Sequence, residues 1–458
     1  MVSNPNSYAA RDSAALLHPY TNALANEKDG SLVIARGNGI YVTDDAGKEY
    51  IEGMSGLWCT SLGFGNERLA EAAARQIRNL SFYHGFNQKS HTPQIELAER
   101  LLALAPMPMS KVFFANSGSE ANDTAFKLIW YRSNAMGNPE KKKIIGRAKG
   151  YHGVTIAAAS ATGTPINHQA FDLPIDGFLH TDCPHYASSA APGESEEQYS
   201  ERCAQNLDAL IEQEGAETVA AFIAEPVMGA GGVLIPPAGY FEKIQAVLDK
   251  HDVLMIADEV ICGFGRTGNM WGSETYNIRP DIITCAKALS SGYIPISALM
   301  INDAVYQPIA EQSAEIGALG HGFTYSGHPV AAAIALETLD IYEELDLVEM
   351  IQVISPILQK GIQTFADHPL IGETDGVGLL AVAELVANKE TGKSFLAERR
   401  VAPFLLDRAL DHGLIVRALG DRIAFLPPLV INQSEIEEIF KRFEKALDDK
   451  LKWLKIGE

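Results

Sequence analysis

The sequence predicts an α/β chain built on a mostly parallel central sheet with helices on both faces. Three observations carry this expectation. Short apolar runs alternate along the chain with segments of helical period, the signature of strand–helix–strand units. Several of these runs, such as 219–224 and 253–257, are apolar at every residue rather than at every second one, as strands covered on both faces require. The chain is also long enough for a large core, with 458 residues, 47% hydrophobic and 21% charged, and its length alone suggests about three domains.

Taken in order, residues 1–30 are polar and mixed and read as a lid-like arm or short helix. Residues 39–51 alternate around Asp45-Ala46-Gly47, a hairpin signal. Helical patterns cover 71–80 and 93–104, the second with Thr92 as N-cap and Pro93 at the first helical position. Strands are expected at 111–115, 143–147, 155–160, 219–224, 253–257, 282–286 and 297–301, with a surface loop and helix start over 188–201. After His328-Pro329 a long helix, 330–345, leads into a carboxyl-terminal region with strands at 378–385 and 414–417 and an amphipathic helix at 433–454. That region exceeds what one more strand–helix unit needs, so a second domain is expected. The division expected is 1–65 as arm and part of a small domain, 66–327 as the large domain, and 328–458 as bridging helix and remainder of the small domain. Internal repeats and low-complexity tracts are absent from the sequence.

Composition excludes several function classes. A net charge of −21 disfavours nucleic acid and anionic membrane as partners. Cys59, Cys183, Cys203, Cys262 and Cys285 show no C-x-x-C spacing and read as free thiols of a reducing compartment. Met1 to Tyr20 lacks a basic-then-apolar leader pattern, and no apolar run reaches the roughly 18 residues of a membrane span. A cytoplasmic location is therefore expected, where the sequon Asn432-Gln433-Ser434 carries no meaning. Twelve histidines show no metal-binding spacing, and no metal is expected.

The chemistry sits at strand ends. The run 253–257 leads into Asp258, 282–286 into Lys287 and 220–224 into Glu225. Full charges beside buried strands are costly unless they stand at the carboxyl ends, where open α/β sheets bind ligands. A carboxylate with a lysine at that rim suits pyridoxal 5'-phosphate (PLP): the acid keeps the pyridine nitrogen protonated and the amine forms a Schiff base. One Asp followed by one Lys is common and structural in most chains; three charged strand ends together are far less so.

Other segments point the same way. Asn116-Ser117-Gly118-Ser119-Glu120 follows strand 111–115 and opens a helix, which offers free N–H groups, a hydroxyl and a positive dipole end to a phosphate; a plain serine N-cap is the simpler alternative. Tyr151, within Gly150-Tyr151-His152-Gly153, can stack on a flat ring or fill the core. Thr324, in the turn Gly322–Pro329, can donate to a phosphate. Gly263-Phe264-Gly265-Arg266-Thr267-Gly268 matches G-x-G-x-x-G, but its strand already ends at Asp258 and no helix follows. It reads as a tight loop with Arg266 in a structural hydrogen-bond role.

Taken together, Asn116–Glu120, Tyr151-His152-Gly153, Ala224-Glu225-Pro226, Asp258–Gly268, Ala286–Tyr293 and Phe323–Pro329 resemble the class III aminotransferases, from about Leu17 to the end of the chain. Within that family the chain is most similar to the amine–pyruvate (ω-) transaminases. The resemblance implies the fold-type-I PLP architecture, with a large domain and a smaller α+β domain built from both termini. It implies Lys287 as the Schiff-base lysine and proton shuttle, Asp258 at the pyridine nitrogen, Tyr151 and Val260 on the two ring faces, and Glu225 near the ring hydroxyl. Gly118 and Ser119 would hold the phosphate, with Thr324 reaching it from a partner subunit. The partners implied are an amine and an α-keto acid, in a homodimer with shared sites; pairing of dimers into tetramers stays open. Arg417 matches a mobile arginine that would fork onto the carboxylate of pyruvate, against a salt bridge to Asp421 as the structural alternative. Trp58 matches an aromatic wall of the amine pocket, with Phe86 and Tyr20 as further candidates. Taurine, β-alanine and diamines remain open as donors, as does an aminomutase or decarboxylase on the same fold.

Overall fold

The computed structural model describes residues 6–456; Met1 to Pro5, part of the expected arm, lie outside the described residues. Fifteen strands among the described residues form three sheets. In chain order they are β1 (Ile34–Asn38), β2 (Tyr41–Asp44), β3 (Glu49–Glu52), β4 (Lys111–Ala115), β5 (Lys143–Arg147), β6 (Phe178–Thr181), β7 (Val219–Ala224) and β8 (Leu254–Asp258). They continue with β9 (Ile282–Cys285), β10 (Ser297–Ile301), β11 (Ile371–Val377), β12 (Leu380–Leu385), β13 (Leu414–Ile415), β14 (Arg417–Leu419) and β15 (Arg422–Phe425). The central sheet runs β4-β10-β9-β8-β7-β5-β6, and only β10 is antiparallel to its neighbours. Every residue of β7, β8, β9 and β10 is buried, which accounts for their unbroken apolar character.

A second sheet joins the two ends of the chain: β13 lies parallel to β3, with Leu414 opposite Ile51. The third, β11-β12-β15-β14, is antiparallel throughout. Helix Pro329–Glu344 follows His328, whose ring caps it by accepting from Val330 N. It packs on helices Glu67–Asn79 and Thr92–Leu104, where Leu69, Leu97, Leu101, Ile334 and Ala335 share the largest apolar core. Among the described residues the five cysteines are free, and no helix is long and apolar enough to cross a membrane.

Four sequence expectations need correction. Residues 155–160 are not a strand. Ile156–Ala161 is helical, because three consecutive alanines favour helix and Asp123 Oδ1 accepts from Ala158 N, satisfying an early helical donor. The expected strands omit β1, β6, β11 and β15; within the central sheet the omission is β6, a short edge strand pairing parallel with β5, too polar in Phe178-Leu179-His180-Thr181 to announce itself. The cap of helix Thr92–Leu104 is His91 rather than Thr92: its Nδ1 accepts from Gln94 N at 3.3 Å while its Nε2 lies 2.8 Å from Gly327 O. Finally, 414–417 is two strands in two sheets, with Val416 at the corner.

Arg266 has the structural role expected of it. Its buried guanidinium donates Nη1–H to Leu379 O (3.1 Å) and Pro427 O (2.7 Å), with Nη2 3.4 Å from Ser55 Oγ, and burial lowers its pKa to about 10. Among the described residues it has no ion-pair partner. Arg266→Met removes donors from two buried carbonyls and is expected to lower unfolding free energy by about 3 kcal/mol, read by denaturant titration of the holoenzyme.

Candidate active site

Neighbouring strands β7, β8 and β9 deliver three charged groups to one edge of the sheet. Glu225 follows β7, Asp258 ends β8 and Lys287 stands two residues past β9. Lys287 opens a short 3-10 turn with φ of +50°, a left-handed conformation that a lysine holds only when its surroundings impose it. All three line one cavity of about 470 Å³. Of the residues named from the sequence, every one except Phe86 and Thr324 lines it.

Asp258 is buried and tightly held. Its Oδ2 accepts from Asn122 Nδ2 at 2.9 Å and from His152 Nδ1 at 2.8 Å, and its Oδ1 from Val260 N at 3.2 Å. Asn122 is itself fixed: Nδ2 also donates to His152 O (2.7 Å), and Oδ1 accepts from Thr284 Oγ1 (2.9 Å). Sequence reasoning passed over Asn122, His152 and Thr284. The one available signal was His152, adjacent to Tyr151; Asn122 sits one turn into the helix behind Gly118 and Ser119, and Thr284 on an otherwise apolar strand.

The helix Gly118–Ala135 begins at the cavity. Ser117 Oγ caps it by accepting from Glu120 N, so Gly118 and Ser119 present its first N–H groups. Ser119 Oγ accepts from Val154 N at 3.1 Å. Space here is built around glycine: a Cβ on Gly118 would stand 3.0 Å from Val260 Cγ2, and one on Gly153 would stand 2.4 Å from Ser119 Oγ.

Glu225 ties two cavity segments together. Its carboxyl oxygens accept from Tyr151 N and Gly229 N, both at 2.9 Å, and its backbone O accepts from the buried Arg147 Nη2 at 2.6 Å. Burial pushes its carboxyl above the ordinary range. Tyr151 shares the cavity wall with Tyr20, and burial raises its phenol. Tyr20 OH in turn accepts from Asn167 Nδ2 at 2.6 Å. The arm thus reaches the cavity through Tyr20.

The third wall is Trp58, on the loop after β3. Two basic side chains lie over its ring: Lys287 Nζ is 5.3 Å and Arg417 Cζ 5.1 Å from its centroid. Lys287 makes no hydrogen bond to any described residue, and burial lowers its pKa below the usual lysine value. Arg417 reaches the cavity because β14 leaves β13 at the Val416 corner. The salt bridge to Asp421 does not form, and no described carboxylate lies within ion-pair distance of the guanidinium. Burial lowers the Arg417 pKa as well.

Phe86 and Thr324 lie elsewhere in the same chain. Thr324 stands exposed on a turn, while Phe86 lines a separate depression with His321 and Gly322.

Comparison with known proteins agrees with this geometry. The family model for class-III aminotransferases matches residues 23–447. Gamma aminobutyrate transaminase 3, chloroplastic, of Solanum lycopersicum is 51% identical over 435 residues, 95% of this chain and 84% of that protein. Vanillin aminotransferase of Capsicum annuum is 49% identical over 450 residues, 98% and 97% of the two chains. The omega transaminase from Pseudomonas jessenii in complex with PMP superposes with a TM-score of 0.97 at 55% identity, covering 99% of this chain and 100% of that one. A thermostable omega transaminase variant carrying W58M, F86L and R417L, engineered for asymmetric synthesis of enantiopure bulky amines, gives a TM-score of 0.97 at 55% identity over 98% and 100% of the chains.

Proposed function

The chain belongs to the class-III aminotransferases, which work with pyridoxal 5'-phosphate, and from that premise we propose that it transfers the amino group of a primary amine, an ω-amine, to pyruvate or a similar α-keto acid. The residues present fit the cofactor. The cavity holds a lysine without a hydrogen-bond partner among the described residues, a carboxylate fixed by three donors, and a helix end opened by glycine and serine. Gly118 and Ser119 would hold the phosphate, Asp258 would hold the proton on the ring nitrogen, and Tyr151 and Val260 would cover the two ring faces. When bound, the cofactor supplies an aldehyde that exchanges amines and a ring that takes up electrons from the reacting carbon.

The protein's own residues do the rest. Lys287 Nζ, favoured as the neutral amine by burial, removes the proton from the carbon that carries the donor nitrogen. Glu225 fixes the backbone under Tyr151 and so the plane of its ring. Trp58 and Tyr20 wall the space for the amine's substituents and exclude water. A second copy of the chain completes the site with Thr324 and Phe86. What supports this is that both stand outside their own protomer's cavity, and that the engineered relative pairs F86L with W58M and R417L.

The observation that carries the acceptor assignment is Arg417. It is a half-buried guanidinium at the cavity wall, stacked on Trp58, with no carboxylate among the described residues to neutralise it. Such a fork suits a planar carboxylate. A donor such as γ-aminobutyrate is the second reading, supported by the names of the curated relatives; it would set a carboxylate on Arg417 in both half-reactions. The test is an amine panel with pyruvate, run on wild type and Arg417→Ala. The expected outcome is a pyruvate KM raised by about 30-fold, with the half-reaction of a neutral aryl-alkyl amine changed less than about threefold. Equal loss in both half-reactions would contradict the assignment. Efficient wild-type use of γ-aminobutyrate, lost in Arg417→Ala, would favour the second reading.

A further inference from the structure

We propose that Glu52 is a positioning residue that sets the size of the amine pocket by holding the Trp58 loop in place. The inference rests on the reading of Trp58 as a wall of that pocket.

Glu52 ends β3 and its side chain is buried. Among the described residues it has no ion-pair partner. Its Oε2 instead accepts from the backbone N–H of Gly56 in the next turn. Burial pushes the carboxyl up to about 7. A buried acid facing no cation is costly to keep unless its hydrogen bonds are needed.

The loop it grips needs holding. Ser55, Gly56 and Trp58 all have left-handed backbones, with φ of 50°, 67° and 62°. For a tryptophan this is a strained conformation that persists only when neighbouring contacts dictate it. Other ties exist: Ser55 Oγ donates to Leu426 O at 2.6 Å and Trp58 N to Met54 O at 2.9 Å. The Gly56 peptide, however, is fixed by Glu52, and it lies two residues before the ring that both Lys287 and Arg417 approach. Packing gives the ring little independent freedom, since Trp58 is buried in one apolar cluster with Met54, Val227, Val233 and Ile261. The ring therefore goes where the loop goes, and the space beside Lys287 follows.

The experiment uses the holoenzyme with saturating pyruvate and reads the ratio of kcat/KM for a bulky aryl-propyl amine to that for sec-butylamine. Trp58→Ala comes first and is expected to raise the ratio; an unchanged ratio would end the amine-wall reading itself, whatever Glu52 does. With that shift present, Glu52→Ala is expected to raise the ratio about fivefold and Glu52→Gln, which keeps one acceptor, to stay within about twofold of wild type. In the Trp58→Ala background, Glu52→Ala is expected to move the ratio less than about twofold, as coupled residues do. If Glu52→Ala lowers both amines equally, or shifts the ratio as much without the indole as with it, the inference is overturned. Should Glu52→Ala fail to fold, Gly56→Ala perturbs the same peptide: its Cβ meets only Thr60 Cγ2 at 3.9 Å, yet φ of +67° disfavours alanine. It is expected to raise the ratio likewise, and an unmoved ratio would overturn the inference.

Discussion

Lys287→Ala is expected to lower kcat by about 10⁴-fold or more while the protein stays folded and still takes up cofactor. The helix start at Gly118 and Ser119 proposed to hold the phosphate, the Asp258 network and the aromatic walls are built from other elements and remain in place. What disappears is the one amine in the cavity free of hydrogen-bond partners among the described residues. Single-turnover mixing with an amine donor, followed by absorbance, separates this loss from a loss of binding. A small amine added to the buffer is expected to restore part of the rate, because it replaces the missing base. Burial also fixes the direction of the pH response. A lysine whose pKa is lowered works as a base above that value, so the wild-type rate falls as pH drops through it. The alanine variant, rescued by a free amine, should follow the pKa of the added amine instead.

Asp258→Asn is the second large effect. The amide is nearly isosteric and can stay among Asn122, His152 and Val260 N, so cofactor affinity should change modestly. The negative charge is gone, however, and the proton on the ring nitrogen loses its counter-ion. The proton-transfer step is expected to slow by about 10³-fold. A deuterium isotope effect at the donor's reacting carbon should grow, since that step then limits turnover. Near-normal turnover with cofactor bound would show that Asp258 does not act on the ring.

Much of this was legible in the chain because it follows from two rules of burial. Strands covered on both faces are apolar throughout, so β7, β8 and β9 stand out, and charges at their ends are conspicuous. A small-residue turn between strand and helix likewise marked Gly118 and Ser119. The groups that hold Asp258 carried no such mark. Asn122 is one polar residue in a helix, and its importance comes from which strand end the helix lies across, a property of tertiary packing. Residues 155–160 went wrong for the opposite reason: β-branched residues at the segment's start suggested strand, and the alanines that follow decided for helix. Arg417 could be suspected but not placed, because its position depends on a corner at Val416 where the chain leaves one sheet for another. Phe86 and Thr324 lie outside the cavity of this chain, so a part for them in the site rests on the proposed second copy.

The central claim is that Lys287 is the residue to which the cofactor is joined. Borohydride reduction of the holoenzyme, followed by proteolysis and mass spectrometry, tests it most directly. The account predicts one pyridoxyl phosphate adduct per chain, on the peptide containing Lys287 and absent from Lys287→Ala. An adduct on any other lysine, or none in protein saturated with the cofactor, would contradict it.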